Sequence, residues 1–145
     1  MRLVTIKGSS LKDYRIDPEM LCKANRPCVL IIRLKYKGRK YDFAVPLRSN
    51  INPSTPKNLY FPLPPRNKTK PRHRHGIQYS KMFPVKKDII NNYRIAGNKQ
   101  AELIKQIIDS NEKQIINECQ NYLNMYEAGA RPLYSTDIDL LLKLL

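Results

Sequence analysis

Short apolar runs near the start of the chain have the pattern of β-strands. Residues 3–6 form a brief β-prone run that ends at Gly8, and residues 29–36 form a longer run that is typical of a central strand. After Gly38, residues 40–45 carry large apolar side chains at alternate positions. This order predicts a β-hairpin that turns at the glycine.

The strand pattern is lost from Pro46 to about His75. Six further prolines there rule out a regular helix or an inner strand: Pro53, Pro56, Pro62, Pro64, Pro65 and Pro71. We therefore predict a long loop. Structureless connections of over about 20 residues are uncommon unless they are disordered or functional, and this one is rich in Arg, Lys, His and Asn, which favours function. Residues 77–83 predict a further strand, which Pro84 ends.

The last part of the chain has the apolar spacing of helices. One stripe consists of Ala101, Ile104, Ile107 and Ile108, and a second of Ile115, Cys119, Tyr122, Leu123 and Tyr126. Residues 109–112 resemble a new helix start, Gly129 supplies a C-terminal cap, and Ser135 is placed to cap a short helix after Ile138. The order of elements predicts an α+β fold in one domain of residues 1–145, an antiparallel sheet with helices on one face.

The charge of the chain is large and uneven. The sequence has 27 Lys+Arg and 12 Asp+Glu, a net charge of +15. Residues 1–87 hold 21 of the basic and 4 of the acidic residues, whereas residues 88–145 hold 6 and 8. A scatter of solvated side chains would not be so one-sided, so we expect a polyanionic partner, with nucleic acid first.

Cysteine usage and hydropathy suggest a compartment. The 3 cysteines are Cys22, Cys28 and Cys119; they form no CxxC motif and are too few for a disulfide scaffold, which fits a reducing cytoplasm. The N-terminus lacks the apolar core of a signal peptide, and no stretch approaches the roughly 20 apolar residues that span a bilayer. We expect neither export nor membrane insertion.

Two clusters could carry chemistry. Arg48, Ser49 and Asn50 follow the predicted hairpin strand, and together they could hold a phosphate group, although the same residues suit an ordinary turn. Residues 68–76 are densely cationic and include both histidines, His73 and His75. Histidine is the side chain that moves a proton near neutral pH, but a solvated basic segment with bystander histidines has the same composition.

Two other readings concern metal and base contacts. His73 and His75 with Cys22 and Cys28 do not have the usual spacing of zinc ligands, so we expect no metal site and no cofactor. Tyrosines in the basic part could stack on unpaired bases: Tyr14, Tyr36, Tyr60 and Tyr79.

Several short blocks, in order, resemble the ToxN/AbiQ family of type III toxins. They are Arg26-Pro27 before Val29-Leu30-Ile31, then Gly38-Arg39-Lys40-Tyr41, Val45-Pro46-Leu47-Arg48-Ser49, and Gly76-Ile77-Gln78-Tyr79 with Met82-Phe83-Pro84-Val85. Residues 98–126 resemble the broken helical pair of that family. The variant with Asp42-Phe43, Arg48-Ser49-Asn50, Leu63-Pro64-Pro65-Arg66 and His75-Gly76 looks like the CptN branch.

The resemblance implies a strongly bent antiparallel sheet similar to the MazF and Kid toxins. It also implies a metal-independent endoribonuclease, in which a ribose 2′-OH attacks the adjacent phosphate to leave a 2′,3′-cyclic phosphate and a 5′-OH. The implied partners are substrate RNA and a repeated pseudoknot antitoxin RNA, which the toxin also processes. Closed protein–RNA rings, commonly of three proteins and three RNAs, and a role in phage defence are implied as well.

By position, Ser49 matches the active-site serine of the family, Arg48 stands where Thr or Ser is common, and Ile51 replaces a family lysine. We therefore predict that Ser49 and Arg48 hold the scissile phosphate, that His75 moves a proton, and that Lys81 or Arg26 stabilises the developing charge. The residues predicted to contact RNA are Tyr14, Arg26, Asn50, Lys68, Lys70, Arg72, Arg74 and Tyr79.

Two other functions remain open. A non-catalytic RNA-binding protein would need only the charge, the tyrosines and the basic loop. A DNA-binding regulator is disfavoured, because the helical part is slightly acidic and has no basic recognition helix.

Overall fold

The computed structural model describes residues 1–145, apart from the side chain of residue 32. The strands are β1 Arg2–Ile6, β2 Cys28–Tyr36, β3 Arg39–Ile51, β4 Tyr60–Leu63, β5 Arg74–Gln78, β6 Phe83–Val85 and β7 Ile90–Asn92. The helices are α1 Gly8–Tyr14, α2 Lys99–Ser110, α3 Glu112–Glu127 and α4 Ile138–Leu142, with short 3-10 turns at Lys57–Leu59, Tyr79–Lys81 and Lys87–Ile89. The predicted α+β class is confirmed.

The strands form one antiparallel sheet in which β3 has a central place. The strand order is β4-β5-β3-β2-β1-β7, and β6 also pairs with β3. The β2–β3 hairpin turns at Lys37 and Gly38, with φ of 48° and 77°. Tight hairpin turns of this kind need positive φ at both central residues, which a glycine adopts without strain. The predicted hairpin is therefore confirmed.

The predicted loop from Pro46 to His75 is wrong, because β3 runs on to Ile51 and β4 follows at Tyr60. One edge of β3 pairs with β6 at residues 42–44 and with β5 from Leu47 onward, and Pro46 lies between the two. A proline is tolerated there, where no partner strand takes a hydrogen bond. β4 carries Pro62 as the outermost strand of the sheet. The connection that remains irregular spans residues 64–73.

Three other boundaries differ from the prediction. Residues 77–83 are the end of β5, a 3-10 turn and the start of β6 rather than one strand. α1 and β7 were not predicted, because seven and three residues are too short for a periodic signal. α4 is capped by Asp137, whose Oδ1 accepts from the N–H of Leu140 at 3.1 Å, rather than by Ser135.

The helices cover both faces of the sheet, not one as predicted. Successive residues of β2 alternate between two core clusters: Val29 and Ile31 belong to the first, with Ile115 and Leu123 of α3, and Leu30 belongs to the second. Because neighbouring strand residues point to opposite faces, the clusters lie on opposite sides of the sheet. The second includes Leu11 and Tyr14 of α1.

Candidate nucleic-acid interface

A β-bulge brings Ser49 and Asn50 opposite His75. In the β3–β5 pairing, Arg48 faces Gly76 and Ile51 faces Arg74, so two residues of β3 stand against the single residue His75 of β5. Bulges redirect side chains and are common beside functional sites. Here the bulge sets a hydroxyl, an amide and an imidazole close together near the end of the sheet.

His75 is held in one orientation by the start of the 64–73 loop. Its side chain is 3% exposed, and Nδ1 lies 2.8 Å from the carbonyl oxygen of Pro64. Because a carbonyl only accepts, Nδ1 carries the hydrogen in the neutral ring and Nε2 keeps a lone pair. Burial and the neighbouring Arg66 guanidinium lower the pKa of His75, against the opposing effect of the Pro64 carbonyl. The neutral form is therefore favoured at neutral pH.

Two arginines flank the bulge. Arg66 donates from Nη1 to Ser49 Oγ at 3.2 Å, so the hydroxyl of Ser49 keeps its own hydrogen for another acceptor. Arg48 donates from Nη1 to Gln78 Oε1 at 3.3 Å, and Gln78 in turn donates from Nε2 to Ser80 Oγ at 3.2 Å. Each guanidinium has five N–H donors, so both retain donors for a phosphate group.

Asn50 fastens the basic loop to the sheet. Its Nδ2 donates to the carbonyl oxygen of Lys68 at 3.2 Å, and its Oδ1 accepts from the N–H of Lys70 at 2.7 Å. At the next turn, Thr69 donates its N–H to the Arg66 carbonyl at 2.9 Å, and its hydroxyl oxygen accepts from the Arg66 N–H at 3.0 Å. The loop that carries Arg66 and Lys68 is therefore fixed beside the bulge.

These groups line a cleft of about 490 Å³. Five of the lining residues are cationic, and we call them the cleft cations: Lys23, Arg26, Arg48, Arg66 and Lys68. None of the lining residues that the structure describes is Asp or Glu. A concave surface with charge of one sign concentrates ions of the opposite sign, so the cleft is built for an anion.

Arg26 lies deeper in the cleft than a surface arginine. Its Nη1 donates to the carbonyl oxygen of Leu47 at 3.1 Å, which ties it to β3. Burial lowers the pKa of Arg26, and the nearby Arg48 adds to that direction. Arg26 and Arg48 both line a cleft that has no acidic residue in its lining, so an anion that contacts both guanidinium groups would stabilise them.

The cleft gathers six of the twelve residues predicted to form the site. They are Arg26, Arg48, Ser49, Asn50, Lys68 and His75. Lys70, Arg72 and Arg74 are exposed and lie outside the lining of the cleft. These three remain candidates for contacts with a longer RNA.

The tyrosines predicted to stack on bases are buried. Tyr14 is 3% exposed, packs edge-on against Phe83 at 5.3 Å between ring centroids, and donates its hydroxyl to the Pro84 carbonyl at 2.6 Å. Burial raises the pKa of Tyr14 to about 12. Tyr79 is fully buried and donates to Glu118 Oε1 at 2.7 Å. Tyr36 and Tyr60 are buried too. No base can reach these rings in this fold.

Lys81 is also outside the cleft. Its Nζ donates to the carbonyl oxygens of Tyr134 at 2.7 Å and Glu19 at 3.1 Å, and lies 3.4 Å from the Glu19 carboxylate. Burial lowers the pKa of Lys81, while Glu19 raises it. All three contacts tie loops of the protein together, so Lys81 has a structural role in this fold.

Several cleft residues carry no predicted role. They are Lys23, Asn25, Arg66, Tyr93, Asn98 and Gln100. Arg66 lies in the basic loop, residues 64–73. The sequence shows that this region is rich in positive charge, but it does not show which of its cations lines the cleft. Tyr93 stands between Asn92 and Arg94, a polar and cationic setting that is typical of a base-contacting aromatic. Gln100 has no sequence signal, because glutamine is common on exposed helix surfaces.

Gly76 lets β4 approach β5 behind the cleft. A Cβ atom at this position would lie 2.4 Å from the carbonyl oxygen of Phe61, which is backbone and cannot rotate away. We expect Gly76→Ala to force the two strands apart and to lower the free energy of unfolding by about 1–3 kcal/mol. Urea or thermal unfolding measures this change.

Gly8→Ala is the matched control for this substitution. The added Cβ would meet only the Cβ of Ala24 at 3.7 Å, an ordinary contact, and Gly8 lies in α1. Alanine is preferred over glycine in helices, so this variant is expected to be neutral or slightly more stable. Equal effects of the two substitutions would contradict the close approach of β4 at Gly76.

The remaining sequence predictions concern membrane-spanning helices and metal ligands. No described helix has the length and apolar character needed to cross a membrane. No group of three or more His, Cys, Asp and Glu side chains is placed to hold a metal ion within the described part of the chain, so Cys22, Cys28, His73 and His75 do not form such a group.

Comparison with solved structures identifies the fold. No protein-family model and no curated protein matches the sequence. A structure from a bacterial antiviral system regulated by a processed non-coding RNA has a TM-score of 0.71 and 15% identity, covering 99% of this chain and 96% of that chain. A structure from a type III toxin–antitoxin system with selective toxin inhibition by a non-coding RNA pseudoknot has a TM-score of 0.72 and 18% identity, covering 98% and 94%.

A third structure is AbiQ, a lactococcal anti-phage endoribonuclease of the type III toxin–antitoxin system. It superposes with a TM-score of 0.73 and 15% identity over 98% of this chain and 93% of AbiQ. This chain has the AbiQ fold. The match extends over nearly the full length of both chains, so the predicted resemblance to ToxN/AbiQ proteins is confirmed in the fold. The CptN branch stays a prediction.

Proposed function

We propose that this chain is an endoribonuclease toxin of a type III toxin–antitoxin system. The observation that carries the proposal is the composition of the cleft. It combines a neutral imidazole with a free Nε2, a serine hydroxyl and the five cleft cations within the AbiQ fold. A module that only binds RNA needs the cations but has no need of an oriented, buried histidine among them.

Arg66, Ser49 and Arg48 are proposed to hold the scissile phosphate. Arg66 and Ser49 are already hydrogen-bonded at 3.2 Å, and each has a further donor available. Arg48, on the residue before the bulge, supplies a second guanidinium. Guanidinium groups bind phosphate oxygens with paired, charge-assisted hydrogen bonds, and their charge stabilises the transition state as negative charge grows on those oxygens.

His75 is proposed to act as the general base. Its Nε2 accepts the proton of the ribose 2′-OH while O2′ forms a bond to phosphorus and the bond from phosphorus to O5′ breaks. O5′ takes up one proton, so the products are a 2′,3′-cyclic phosphate and a 5′-OH and no water is consumed. Positive charge at the phosphate comes from the arginines, so the proposed reaction needs no metal ion. Of the two further cations predicted to stabilise the developing charge, Arg26 lines the cleft and Lys81 does not, so Arg26 is proposed to assist.

The proposed inhibitor is a repeated pseudoknot antitoxin RNA that occupies the same cleft and that the toxin processes. The exposed Lys70, Arg72 and Arg74 extend the basic surface beyond the cleft and suit an RNA longer than the scissile dinucleotide. We propose that protein and RNA alternate in a closed ring, with three of each, that the complex forms in the cytoplasm, and that it serves phage defence.

The test is cleavage of a labelled RNA pool by purified, RNA-free protein in EDTA. We expect discrete fragments that end in 2′,3′-cyclic phosphates and begin with 5′-OH groups. Tight binding that leaves the RNA intact both in EDTA and in a parallel reaction with Mg²⁺ would instead support a non-catalytic RNA-binding protein. Cleavage that EDTA abolishes would retain a nuclease but refute the proposed metal independence.

Ser49→Ala is expected to lower the cleavage rate about 10- to 150-fold, because one hydrogen bond to a charged phosphate is worth roughly 1.5–3 kcal/mol and Arg66 remains in place. Single-turnover rates at saturating RNA measure the loss. Ser54→Ala is the control, since Ser54 is exposed on the turn after β3 and does not line the cleft. Equal rates for Ser49→Ala and the wild type would remove Ser49 from the proposed site.

A further inference from the structure

The cleft has a second wall that the proposed cleavage chemistry does not use. This wall is formed by Leu3 of β1, by Tyr93 after β7, and by Gln100, Ala101 and Ile104 of α2. It faces the same space as Ser49 and His75 but contains no cation and no proton-transfer group apart from the tyrosine. An apolar surface with one aromatic ring and one amide is a poor phosphate site and a good surface for a nucleobase.

Gln100 carries a buried donor without a partner. Its Nε2 is inaccessible to solvent and makes no hydrogen bond within the described structure. Arg26 Nε, in the same cleft, is also buried and unpaired. A buried donor left unsatisfied costs stability, and native proteins rarely keep one without a reason. Both groups are donors on side chains that line the cleft, so a bound molecule with hydrogen-bond acceptors can satisfy them once these side chains turn toward it.

Tyr93 offers an aromatic surface beside that donor. Its side chain is half-buried, packs against the main core cluster and also lines the cleft. Its backbone is fixed, because the N–H of Tyr93 donates to the carbonyl oxygen of Leu3 at 3.1 Å. A tyrosine held at its base and open on the cleft side provides a stacking platform, which the buried Tyr14, Tyr36, Tyr60 and Tyr79 do not.

We propose that Tyr93 and Gln100 form a nucleobase subsite that selects one base close to the scissile phosphate. The inference rests on the proposed endoribonuclease function and adds the residues that set its sequence preference. The base stacks on Tyr93 against the apolar side chains of Leu3 and Ile104. The amide of Gln100 reads its edge, with Nε2 donating to a ring nitrogen or carbonyl oxygen of the base.

The polarity of Gln100 gives the subsite its selectivity. A base that places an acceptor opposite Gln100 Nε2 gives this amide its missing hydrogen bond. A base that places a donor there leaves both its own donor and Nε2 without a partner. Sites built to hydrogen-bond a substrate group discriminate strongly for this reason. Gln100→Glu keeps the size of the side chain and replaces the donor with an acceptor. It should therefore move the preference toward a base that presents a donor.

The experiment is cleavage of an RNA pool randomised around the cut site, with the base frequencies at each position read by sequencing. We expect Gln100→Glu to change the preference at one position about tenfold, and Gln100→Met, which is uncharged, to flatten it at the same position. Gln106→Glu is the matched control: it adds the same charge to an exposed position of α2 outside the cleft, and its profile should equal that of the wild type.

Tyr93 is tested by two substitutions. Tyr93→Phe keeps the ring and should cleave with a KM within about twofold of the wild type, whereas Tyr93→Leu should raise KM about tenfold with a smaller change in kcat. Thermal unfolding of both variants checks that the fold persists. If Tyr93→Leu does not fold, the base preferences measured for Gln100→Glu and Gln100→Met decide whether the subsite exists.

The outcomes separate this inference from the proposed function. If the wild type cleaves with a defined preference and the Gln100 profiles match it at every position, the base subsite is refuted and the nuclease remains. A preference that moves at one position in Gln100→Glu and Gln100→Met but not in Gln106→Glu supports the subsite. A pool left intact by the wild type refutes the endoribonuclease function, and the subsite is refuted with it.

Discussion

Replacing His75 with Asn is expected to lower the RNA cleavage rate by about two to four orders of magnitude, the usual contribution of a general base. Asparagine places an amide N–H where the imidazole has Nδ1, so the hydrogen bond to the Pro64 carbonyl can be kept while Nε2 is deleted. The loss should therefore appear in the rate at saturating RNA, with a small change in the affinity for RNA. Single-turnover cleavage and RNA binding measure the two quantities.

The pH dependence follows from the environment of His75. The base works only when neutral, so kcat/KM should be flat at high pH and should fall as pH decreases through the pKa of the free protein. Burial and Arg66 lower the pKa of His75 below its usual 6.5, so the midpoint of the fall in kcat/KM should lie below pH 6.5. A bound phosphate favours the protonated ring, so the fall in kcat should begin at a higher pH than the fall in kcat/KM.

The control for His75 is His73, which is the last residue of the 64–73 loop and does not line the cleft. His73→Asn should cleave like the wild type and retain the same pH profile. If His75→Asn cleaves within about threefold of the wild type while its thermal stability is unchanged, His75 is not the general base.

Raising the salt concentration from about 50 mM to about 200 mM is expected to weaken RNA binding by roughly 100-fold. Arg26, Arg48 and Arg66 share the scissile phosphate, and the other cations of this surface, Lys23, Lys68, Lys70, Arg72 and Arg74, would neutralise about four more. Each of these roughly five neutralised phosphates releases condensed counterions. For single-stranded RNA this gives a slope of roughly −3.5 in a plot of log K against log salt. The measurement uses the His75→Asn protein, so that the RNA stays intact.

Single lysine substitutions show which positive charges contribute to RNA binding. Lys68→Ala removes one cleft cation and should make the slope shallower by roughly 0.7. Lys113→Ala removes the same charge from an exposed position on α3, outside the cleft, and should leave the slope unchanged. A wild-type slope near zero would contradict electrostatic binding in the cleft, and equal slopes for both variants would place the RNA elsewhere.

The central strands and long helices could be predicted from the sequence because their apolar periodicity is sustained. Residues 29–36 and the stripes on α2 and α3 each present enough positions to define a period. The length of β3 could not be predicted, because Pro46 is acceptable only where the strand exchanges β6 for β5 along its edge. That exchange depends on residues about 30 to 40 positions later in the chain, which local patterns do not encode.

The phosphate side of the site was more predictable than the base side. Charge density and the strand end pointed to Arg48, Ser49, Asn50, Lys68 and His75, which the bulge and the fastened loop bring together. The number of tyrosines in the sequence could not show which rings lie in the core and which one lines the cleft, because burial is a property of the tertiary structure. Only packing distinguishes Tyr93 from Tyr79.

The double hydrogen bond of Asn50 has a consequence for how the proposed toxin could diversify. Because its amide fixes residues 68 and 70, and β5 begins at Arg74, residues 71–73 form a short turn between two fixed points, which we call the tip. Insertions, deletions or substitutions at that tip can alter which RNA is engaged at a distance without displacing Arg66 or His75. Under the proposed function, recognition of the inhibitor RNA can therefore evolve separately from RNA cleavage. Asn50 allows this because it keeps changes at the tip from moving the residues proposed to cleave RNA.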